Sequence, residues 1–463
     1  MKQPRIGLLP LYLELYDRLA ADHRPAMEAF CRKIERAFAA RGVGVRTASV
    51  CRLNEETTKA VRAFERADVD AVVTLHLAYS PSLESAPALA DTPLPLIVLD
   101  TTPAFEFGPG QDPAEIMYNH GIHGVQDLCN LLIRRGKPFL LEVGHWQRSD
   151  VLDRVIGHLP AARMARRLAT SRVGLIGKPF AGMGDFSVSP ACLRREIGAR
   201  IVTARPRTMQ ALVEGISGGE VRREMAEDAR RFDIRGLNAA AHERSARAGL
   251  ALRRWIADEG LTALTMNFGA AGSASGLPVM PFLELSKAMA RGVGYAGEGD
   301  VLTATLVGAL ASVFPATTFT EMFCPDWKGD RVFLSHMGEF NLDLADRKPL
   351  LAEPKVNFTP GESPVVPYGR LRGGAAAWVN LAPMPGDRFR LILAPGRIEA
   401  ARGKDRFTQT VRGWFRSKCG VAEFLGQYSR FGGTHHSALV YGAGIAPLKT
   451  FALFAGLEAV VIE

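Results

Sequence analysis

Two carboxylates and an imidazole follow one another closely in the middle of the chain. Glu298 comes directly after a glycine-rich run, Glu321 lies in the alternating stretch TTFTE, and His336 lies in FLSHM. Carboxylate oxygens and an imidazole nitrogen suit a divalent ion such as Mn²⁺, Mg²⁺ or Co²⁺ better than a metal that prefers thiolates. The three residues therefore indicate a metal site. Taken singly, each also has a structural interpretation, as an acid in the first turn of a helix or as a polar side chain on a strand.

Two histidine motifs could extend this site. His435 and His436 lie in GGTHHS near the C-terminus. Adjacent residues of a strand point to opposite faces, so at most one of this pair is expected to reach the same site. His120 and His123 lie in NHGIHG and share one face if the segment is helical. A helix cap is the alternative for this second motif.

Residues 292–297 (GVGYAG) match the dinucleotide-binding pattern GxGxxG. The pattern is meaningful only between a strand and a helix, because the pyrophosphate must meet the helix N-terminus. Residues 282–291 instead have helical periodicity, so a nucleotide-dependent sugar dehydrogenase is a minor alternative. The glycines are expected to form a turn that presents Glu298 before the helical run 301–314.

The secondary-structure elements that must position these residues show two patterns along the chain. The first pattern is an alternation of strands and helices. Strands are expected at 6–12, 43–50, 71–77, 94–100, 139–143, 172–177 and 263–268, and helices at 24–41, from 54, and at 120–135, 189–198, 207–230 and 237–258. Such alternation favours parallel sheets covered by helices on both faces, with function at the carboxyl ends of the strands.

The last third of the chain shows a different pattern of predicted elements. Short runs rich in β-branched and aromatic residues, at 317–323, 331–337, 377–381 and 389–393, are separated by turn residues, which predicts an antiparallel sheet or barrel. The predicted fold class is therefore α/β, with two Rossmann-like parallel-sheet domains, 1–170 and 171–314, followed by a β-rich C-terminal domain, 315–463.

Length and composition exclude several classes of protein. A chain of 463 residues, 47% apolar and 23% charged, is too long for one core. Its six cysteines have no ligand spacing, so neither a disulfide framework nor a thiolate zinc site is expected, and a cytoplasmic setting is the simplest.

Membranes and nucleic acids are not expected partners either. No run approaches the ~18 apolar residues that span a bilayer, and the N-terminus does not resemble a signal peptide. The net charge of +9 is spread among acids without a polybasic run. We interpret it as an ordinary basic surface, with attraction of an anionic substrate as the minor alternative.

Five motifs together resemble the L-arabinose/L-fucose isomerase superfamily, and the arabinose isomerases most closely. They are GYAGEGD (294–300), FTEM (319–322), SHM (335–337), GGTHHS (432–437) and NHGIHG (119–124). The resemblance implies two Rossmann-like domains followed by a β-rich one. It also implies a homo-oligomer, a trimer or hexamer, with active sites at subunit contacts, and a bound Mn²⁺-type ion.

Carried over residue by residue, the resemblance implies that Glu298, Glu321, His336 and His436 are the metal ligands. It further implies that the two glutamates are the acid/base pair of an aldose–ketose isomerase, an intramolecular oxidoreductase that moves a proton of a small sugar through a cis-enediol. His123 would match a histidine that reaches substrate, in this or a neighbouring subunit.

Two departures concern the sugar. Residues 6–12 (IGLLPLY) lack the glutamine that arabinose isomerases place after the first strand, and Thr434 and Ser437 flank the histidine pair in place of alanine and threonine. The identity of the sugar is therefore open. A non-catalytic sugar-binding or regulatory protein of the same fold is the alternative, and the presence of all four implied ligands argues against it.

Overall fold

The computed structural model describes residues 3–355, 357–400 and 404–463. The chain divides into two compact units: the first comprises Met1–Arg166 and Thr450–Gly456, and the second Arg167–Lys449 and Leu457–Glu463. The domain boundaries expected at 170/171 and 314/315 stay predictions. Within the described ranges, no helix has the length and apolar character needed to cross a membrane.

The first unit contains a parallel five-stranded sheet with strand order β2-β1-β3-β4-β5. Its strands are β1 (Arg5–Leu11), β2 (Gly44–Thr47), β3 (Ala71–His76), β4 (Leu96–Asp100) and β5 (Leu140–Val143). Its helices are α1 (Glu14–Leu19), α2 (His23–Ala39), α3 (Asn54–Arg66), α4 (Ala86–Asp91), α5 (Ile116–Asn119), α6 (Ile122–Arg134) and α7 (Val151–Ala169), of which α7 continues into the second unit. This strand order is that of a doubly wound α/β fold.

Both faces of this sheet are covered, which explains why its strands are apolar throughout. On β1, Ile6 and Leu8 belong to one apolar cluster, while Leu9 and Leu11 belong to another. A parallel strand buried on both faces has no solvated side, so it lacks the polar alternation of a half-exposed strand.

The second unit begins with a parallel four-stranded sheet of order β7-β6-β8-β9. Its strands are β6 (Arg172–Ile176), β7 (Arg200–Thr203), β8 (Ala263–Met266) and β9 (Gly294–Gly297), and its helices are α8 (Pro190–Cys192), α9 (Pro206–Glu214), α10 (Gly218–Arg231), α11 (Ala239–Asp258), α12 (Phe282–Ala290) and α13 (Val301–Ala311). The helix predicted over 207–230 is two helices, because Ser217 caps the start of α10 by accepting a hydrogen bond from the Glu220 amide.

The glycine run before Glu298 is a strand, so the expected turn at 292–297 was wrong. Gly294 is on β9, and a Cβ there would lie 2.3 Å from the Ala304 carbonyl oxygen and from the Gly308 nitrogen. The glycine therefore allows α13 to pack directly against the strand. Because the run is not a loop between a strand and a helix, it lacks the arrangement that binds a pyrophosphate.

An antiparallel barrel completes the second unit, and with it the predicted fold class is confirmed. Its strands are β10 (Thr317–Asp326), β11 (Arg331–Ser335), β14 (Gly374–Met384), β15 (Arg388–Ile398), β16 (Gly413–Ser417), β17 (His436–Tyr441) and β18 (Glu458–Val461). A separate antiparallel pair is formed by β12 (Leu350–Ala352) and β13 (Val366–Tyr368), and the helices are α14 (Val421–Arg430) and α15 (Ile445–Phe454), of which α15 belongs to the first unit from Thr450 onwards. The order is β14-β17-β10-β11-β16-β15, and pairing of β14 with β15 closes the ring. Strand β18 adds to β15 in parallel.

Candidate active site

Strand register brings three of the implied ligands together. Glu321 on β10 lies opposite His436, the first residue of β17, and opposite Ser335, the last residue of β11. His336 follows Ser335 directly. Because residues opposite each other in an antiparallel pair have Cβ atoms about 5 Å apart, this register places a carboxylate between two imidazoles.

Glu298 reaches the same place from the parallel sheet. It follows β9 with a φ of 62°, a left-handed backbone that is uncommon for a residue with a side chain. Its carbonyl accepts a hydrogen bond of 2.8 Å from the Phe180 amide, which helps to hold this conformation. Its Oε2 lies 3.9 Å from His436 Nε2. Strained backbone of this kind is typical of functional sites.

The side chains form two overlapping groups of potential metal ligands. One group is Glu321, His336 and His436, and the other is Glu298, His435 and His436; the ligand atoms of each group lie within 4.8 Å of one another. The structure therefore brings Glu298, Glu321, His336 and His436 into one cluster.

The expectation that only one histidine of the pair reaches this site was wrong. His435 precedes β17, so the alternation of a strand does not apply to it. Its backbone amide donates to Asp185 Oδ2 over 2.8 Å, and its Nδ1 lies 2.6 Å from the same oxygen. This contact turns the ring so that Nε2 lies 3.7 Å from Glu298 Oε2.

Two of the imidazoles each contact a buried carboxylate through Nδ1. His336 Nδ1 is 2.7 Å from Glu339 Oε2, and His436 Nδ1 is 3.1 Å from Asp300 Oδ2. Both carboxylates are at most 1% exposed. A histidine that binds a metal usually gives its other ring N–H to such a partner, which sets the tautomer and leaves Nε2 for the ion.

These two carboxylates are themselves held in place. Glu339 accepts hydrogen bonds from the Tyr295 hydroxyl (2.6 Å) and the Gly338 amide (3.0 Å). Asp300 caps α13 by accepting from the Thr303 amide (2.9 Å). Sequence reasoning missed both residues, although each follows an implied ligand by two or three positions.

Two buried polar atoms of the cluster support a metal. Glu298 Oε2 and His436 Nε2 have no hydrogen-bond partner within the described part of the chain. Leaving such groups buried and unpaired costs about 1–3 kcal/mol each, so native proteins usually satisfy them, and a bound ion is one way to do so. Oxygen and imidazole donors together fit a divalent ion of the Mn²⁺ type.

The two glutamates have different electrostatic environments. The His435 imidazole, whose Nε2 lies 3.7 Å from Glu298 Oε2, lowers the pKa of Glu298 against the effect of burial, and the charges of His436 and His336 lower it further. Burial raises the pKa of Glu321. Divergent pKa shifts in two neighbouring carboxyl groups are typical of acid/base pairs.

The imidazoles are tuned by their carboxylate partners. Burial lowers the pKa of His435, but the hydrogen bond to Asp185 outweighs it and raises the pKa to about 10. Burial likewise opposes the charged form of His336, while the adjacent Glu339 carboxylate raises its pKa.

Aromatic rings fix the imidazole planes. Phe319 meets His336 and His436 edge-on, with ring centroids 4.7 and 4.9 Å apart, and Phe186 stacks on His436 at 5.3 Å with an interplanar angle of 8°. Such packing limits the rotation of the rings. A cavity of about 720 Å³ opens from Glu298 and His336.

His123 lies in the first unit, on α6, where its exposed ring neighbours His120 and Tyr79 at centroid distances of 5.8 and 6.3 Å. His120 Nε2 lies 2.9 Å from the Tyr16 hydroxyl. The segment is helical from Ile122, so the predicted helix is confirmed, and His123 rather than His120 is on it.

Further polar atoms surround the carboxyl ends of β1 and β3. The Tyr12 hydroxyl, His76 Nε2 and His120 Nδ1 are buried without a hydrogen-bond partner among the residues that the structure describes. The carboxyl edge between β1 and β3 is the point where the strand order reverses, and ligands commonly bind there in doubly wound folds. The first unit therefore presents a polar centre of its own, the β1/β3 centre.

Two domain families match the second unit in succession. Residues 193–314 match the L-arabinose isomerase central domain, and residues 316–458 match the L-arabinose isomerase C-terminal domain. Relatives named L-arabinose isomerase from a Nocardioides species and from Yersinia pestis are 25% and 24% identical over 357 and 359 residues. These alignments cover 74% of this chain and 70% and 71% of the relatives.

Among solved structures, the periplasmic binding protein of an arabinose ABC transporter from Shewanella sp. ANA-3 is 14% identical. It aligns over 67% of this chain and 84% of its own length with a TM-score of 0.16, which is too low to support a structural argument.

The two matched domains follow one another without overlap, and the candidate ligands Glu298, Glu321, His336 and His436 all lie within them. The chain therefore belongs to the L-arabinose isomerase-like family of aldose–ketose isomerases.

Proposed function

We propose that this chain is a metal-dependent aldose–ketose isomerase. The observation that carries the proposal is the convergence of two glutamates with two histidines that each contact a buried carboxylate through Nδ1. In this cluster, the buried atoms Glu298 Oε2 and His436 Nε2 have no hydrogen-bond partner in the described chain. Glu298, Glu321, His336 and His436 would hold Mn²⁺ or a similar divalent ion. When bound, the ion supplies Lewis-acid stabilisation of negative charge on the sugar oxygens.

Glu298 and Glu321 are the proposed acid/base pair. One carboxylate takes the proton from C2 of the open-chain aldose, and the C–H electron pair forms the C1–C2 double bond while O1 receives a proton from the other, protonated carboxyl group. The cis-enediol then gives its O2 proton to that second carboxylate as the C2 carbonyl forms, and C1 takes up the proton that the first carboxylate had removed. No atom is gained or lost overall. Positioned acid/base groups of this kind typically increase the reaction rate by about 10²–10⁴-fold.

The proposed acid/base pair is tested by Glu298→Gln and Glu321→Gln, assayed against a panel of aldoses with added Mn²⁺. Each substitution removes a proton carrier with little change in shape, so we expect turnover to fall by about 10²–10⁴-fold while the circular dichroism spectrum is unchanged. Glu423→Gln, an exposed glutamate on α14, is the matched control. Full activity in both active-site variants would exclude this mechanism.

We also propose that the active form is a cytoplasmic homo-oligomer, a trimer or hexamer, in which His123 of one subunit contacts the sugar bound in a neighbour. The support is the β1/β3 centre, where polar atoms without partners surround the start of α6. Light scattering should give a mass at least three times that of one chain. His123→Ala should raise KM more than it lowers kcat, and a monomeric active enzyme would contradict the proposal.

A further inference from the structure

We propose that the sugar substrate carries an anionic group, a phosphate or carboxylate, at the end remote from the reacting carbons, and that Lys355 and Arg406 bind this group. The inference rests on the proposed function for the identity of the site. It names the substrate class that the cavity beside the cluster accepts.

The cavity is larger than a simple sugar requires. It has a volume of about 720 Å³, and its lining includes Glu298, His336, Lys355 and Arg406. Pockets of roughly 300–1,000 Å³ are typical of drug-sized ligands.

The charge of the cavity wall favours an anion. Among the described residues that line the cavity, Glu298 is the one acid, whereas Lys355 and Arg406 contribute two cations. Neither cation takes part in an ion pair within the ranges described, in contrast to Arg412 and Arg370, which both contact Asp405. Two available cations in the wall of one cavity are suited to binding a phosphate or carboxylate.

The segment that carries Arg406 is anchored on both sides. Asp405 accepts a hydrogen bond from Arg412 Nε over 2.8 Å and another from the Phe407 amide over 3.0 Å. The Phe407 ring packs against Phe333 and Trp414 at centroid distances of 5.1 and 6.1 Å. The backbone of Arg406 is therefore held between a partly buried ion pair and an aromatic cluster, and Arg406 is one of the residues that line the cavity.

A polar atom in the same wall also lacks a partner. Gln409 lines the cavity, and its Oε1 is buried without a hydrogen-bond partner in the described chain. A carbonyl oxygen in this position would accept a hydrogen bond from a hydroxyl of the sugar. The wall therefore offers an acceptor for the sugar chain in addition to cations for its charged end.

Reduced sugars provide probes that bind but cannot be isomerised. We would measure the affinities of a hexitol, its terminal phosphate and its terminal carboxylate by calorimetry with Mn²⁺ present; in the gluco series these are D-glucitol, D-glucitol 6-phosphate and L-gulonate. The manno and galacto series are measured in parallel, because the configuration of the natural sugar is open. Comparison of the phosphate probe with the carboxylate probe shows which of the two anionic groups the cavity prefers.

We expect at least one anionic probe to bind about tenfold more tightly than its neutral hexitol, because hydrogen bonds to an ionised group are stronger than those between neutral groups. This preference should disappear in Lys355→Gln/Arg406→Gln. Lys404→Gln removes an exposed lysine from the same segment as Arg406 that does not line the cavity, and should keep the preference.

Equal affinity for charged and neutral probes in all three series would overturn the inference, as would a preference that survives the double substitution. Inorganic phosphate that binds as tightly as the hexitol phosphate would overturn it too, since the anion would then bind independently of the sugar. If the preference depends on the two cations but no aldose is isomerised, the anion site stands and the proposed function fails.

Discussion

Gly297 matters to the candidate site because it has no side chain. It ends β9, immediately before Glu298, and faces the His336 ring. A Cβ at this position would lie 2.8 Å from His336 Cε1 and 3.1 Å from Nε2, closer than real Cβ contacts. The glycine therefore creates the space in which the imidazole points Nε2 towards the cluster.

We predict that Gly297→Ala weakens Mn²⁺ binding by roughly 10–100-fold, the range typical of changes to residues that orient metal ligands. The methyl group would displace the His336 ring while the strand pairing persists. Calorimetry with Mn²⁺ measures the effect. Gly157→Ala, at an exposed helical position with open space around it, is the control, and equal affinities in the two variants would refute the prediction.

At this scale the sequence predicted the convergence of Glu298, Glu321, His336 and His436, and the structure brings them together. It could not predict the role of His435, because that depends on where β17 begins and on Asp185, which lies 250 positions away. The acid/base and ligand roles of the four residues remain proposals.

Among the elements, a buried ion cluster joins the helices that lead to β9. Lys287 on α12 is 4% exposed and contacts both Glu224 and Asp228 on α10, and Arg253 on α11 bridges Glu224 and Glu284. Burial works against the charge of Glu224, but hydrogen bonds and charge from Arg253 and Lys287 lower its pKa to about 2.

The low pKa of Glu224 gives a pH-dependent contribution to stability. Since the pKa is lower in the folded than in the unfolded state, the contribution is present above about pH 4.5 and is lost as the pH falls towards 2. Its size is about 3 kcal/mol by linkage. Glu224→Gln should remove this part of the pH dependence of the unfolding free energy, measured by urea titration.

The exposed Glu227 on the same helix provides the control for Glu224→Gln, because Glu227→Gln removes a charge outside the cluster. The two variants should differ from each other in pH dependence, and parallel curves would show that the cluster does not carry the effect. At neutral pH, Glu224→Gln should also cost about 3–5 kcal/mol, since it breaks a buried ion pair.

Elements with strong periodicity were predictable, whereas two short strands were not. The helix at α2 and the strands β1, β3 and β4 follow from apolar patterning. Strand β9 is GYAG, which has little strand propensity, and β7 (RIVT) has strand-forming residues but only four positions in which to show a pattern. Only pairing with β6 and β8 makes them strands, and that is a tertiary effect.

For the whole molecule, we predict that Mn²⁺ raises the melting temperature. A ligand that binds only the folded state adds about 2.7 kcal/mol at a hundred times its Kd. His436→Gln should abolish the shift in differential scanning fluorimetry, whereas His158→Gln, at a histidine that contacts Glu142 in the first unit, should retain it. A melting temperature indifferent to Mn²⁺ in the parent protein would argue against a metal site.

The fold class was predictable because the alternation of strands and helices and the later succession of short strands each extend over a long part of the chain. Closure of the barrel could not be predicted, because it depends on the pairing of β14 with β15 and of β10 with β17. The register of such a pair cannot be deduced from the sequence of one strand alone. The sugar was not predictable either, because the cavity wall is built from side chains that only the fold brings together.

The register of β10 and β17 also constrains the folding pathway. Glu321 and His436 lie opposite each other on the neighbouring strands β10 and β17 but far apart in the chain, so the cluster forms only after a long loop has closed. Such non-local pairing is slow, because its entropy cost precedes its stabilising contacts. Tight metal capture is therefore expected as one of the last events of refolding, which would make manganese uptake a kinetic signal of barrel closure.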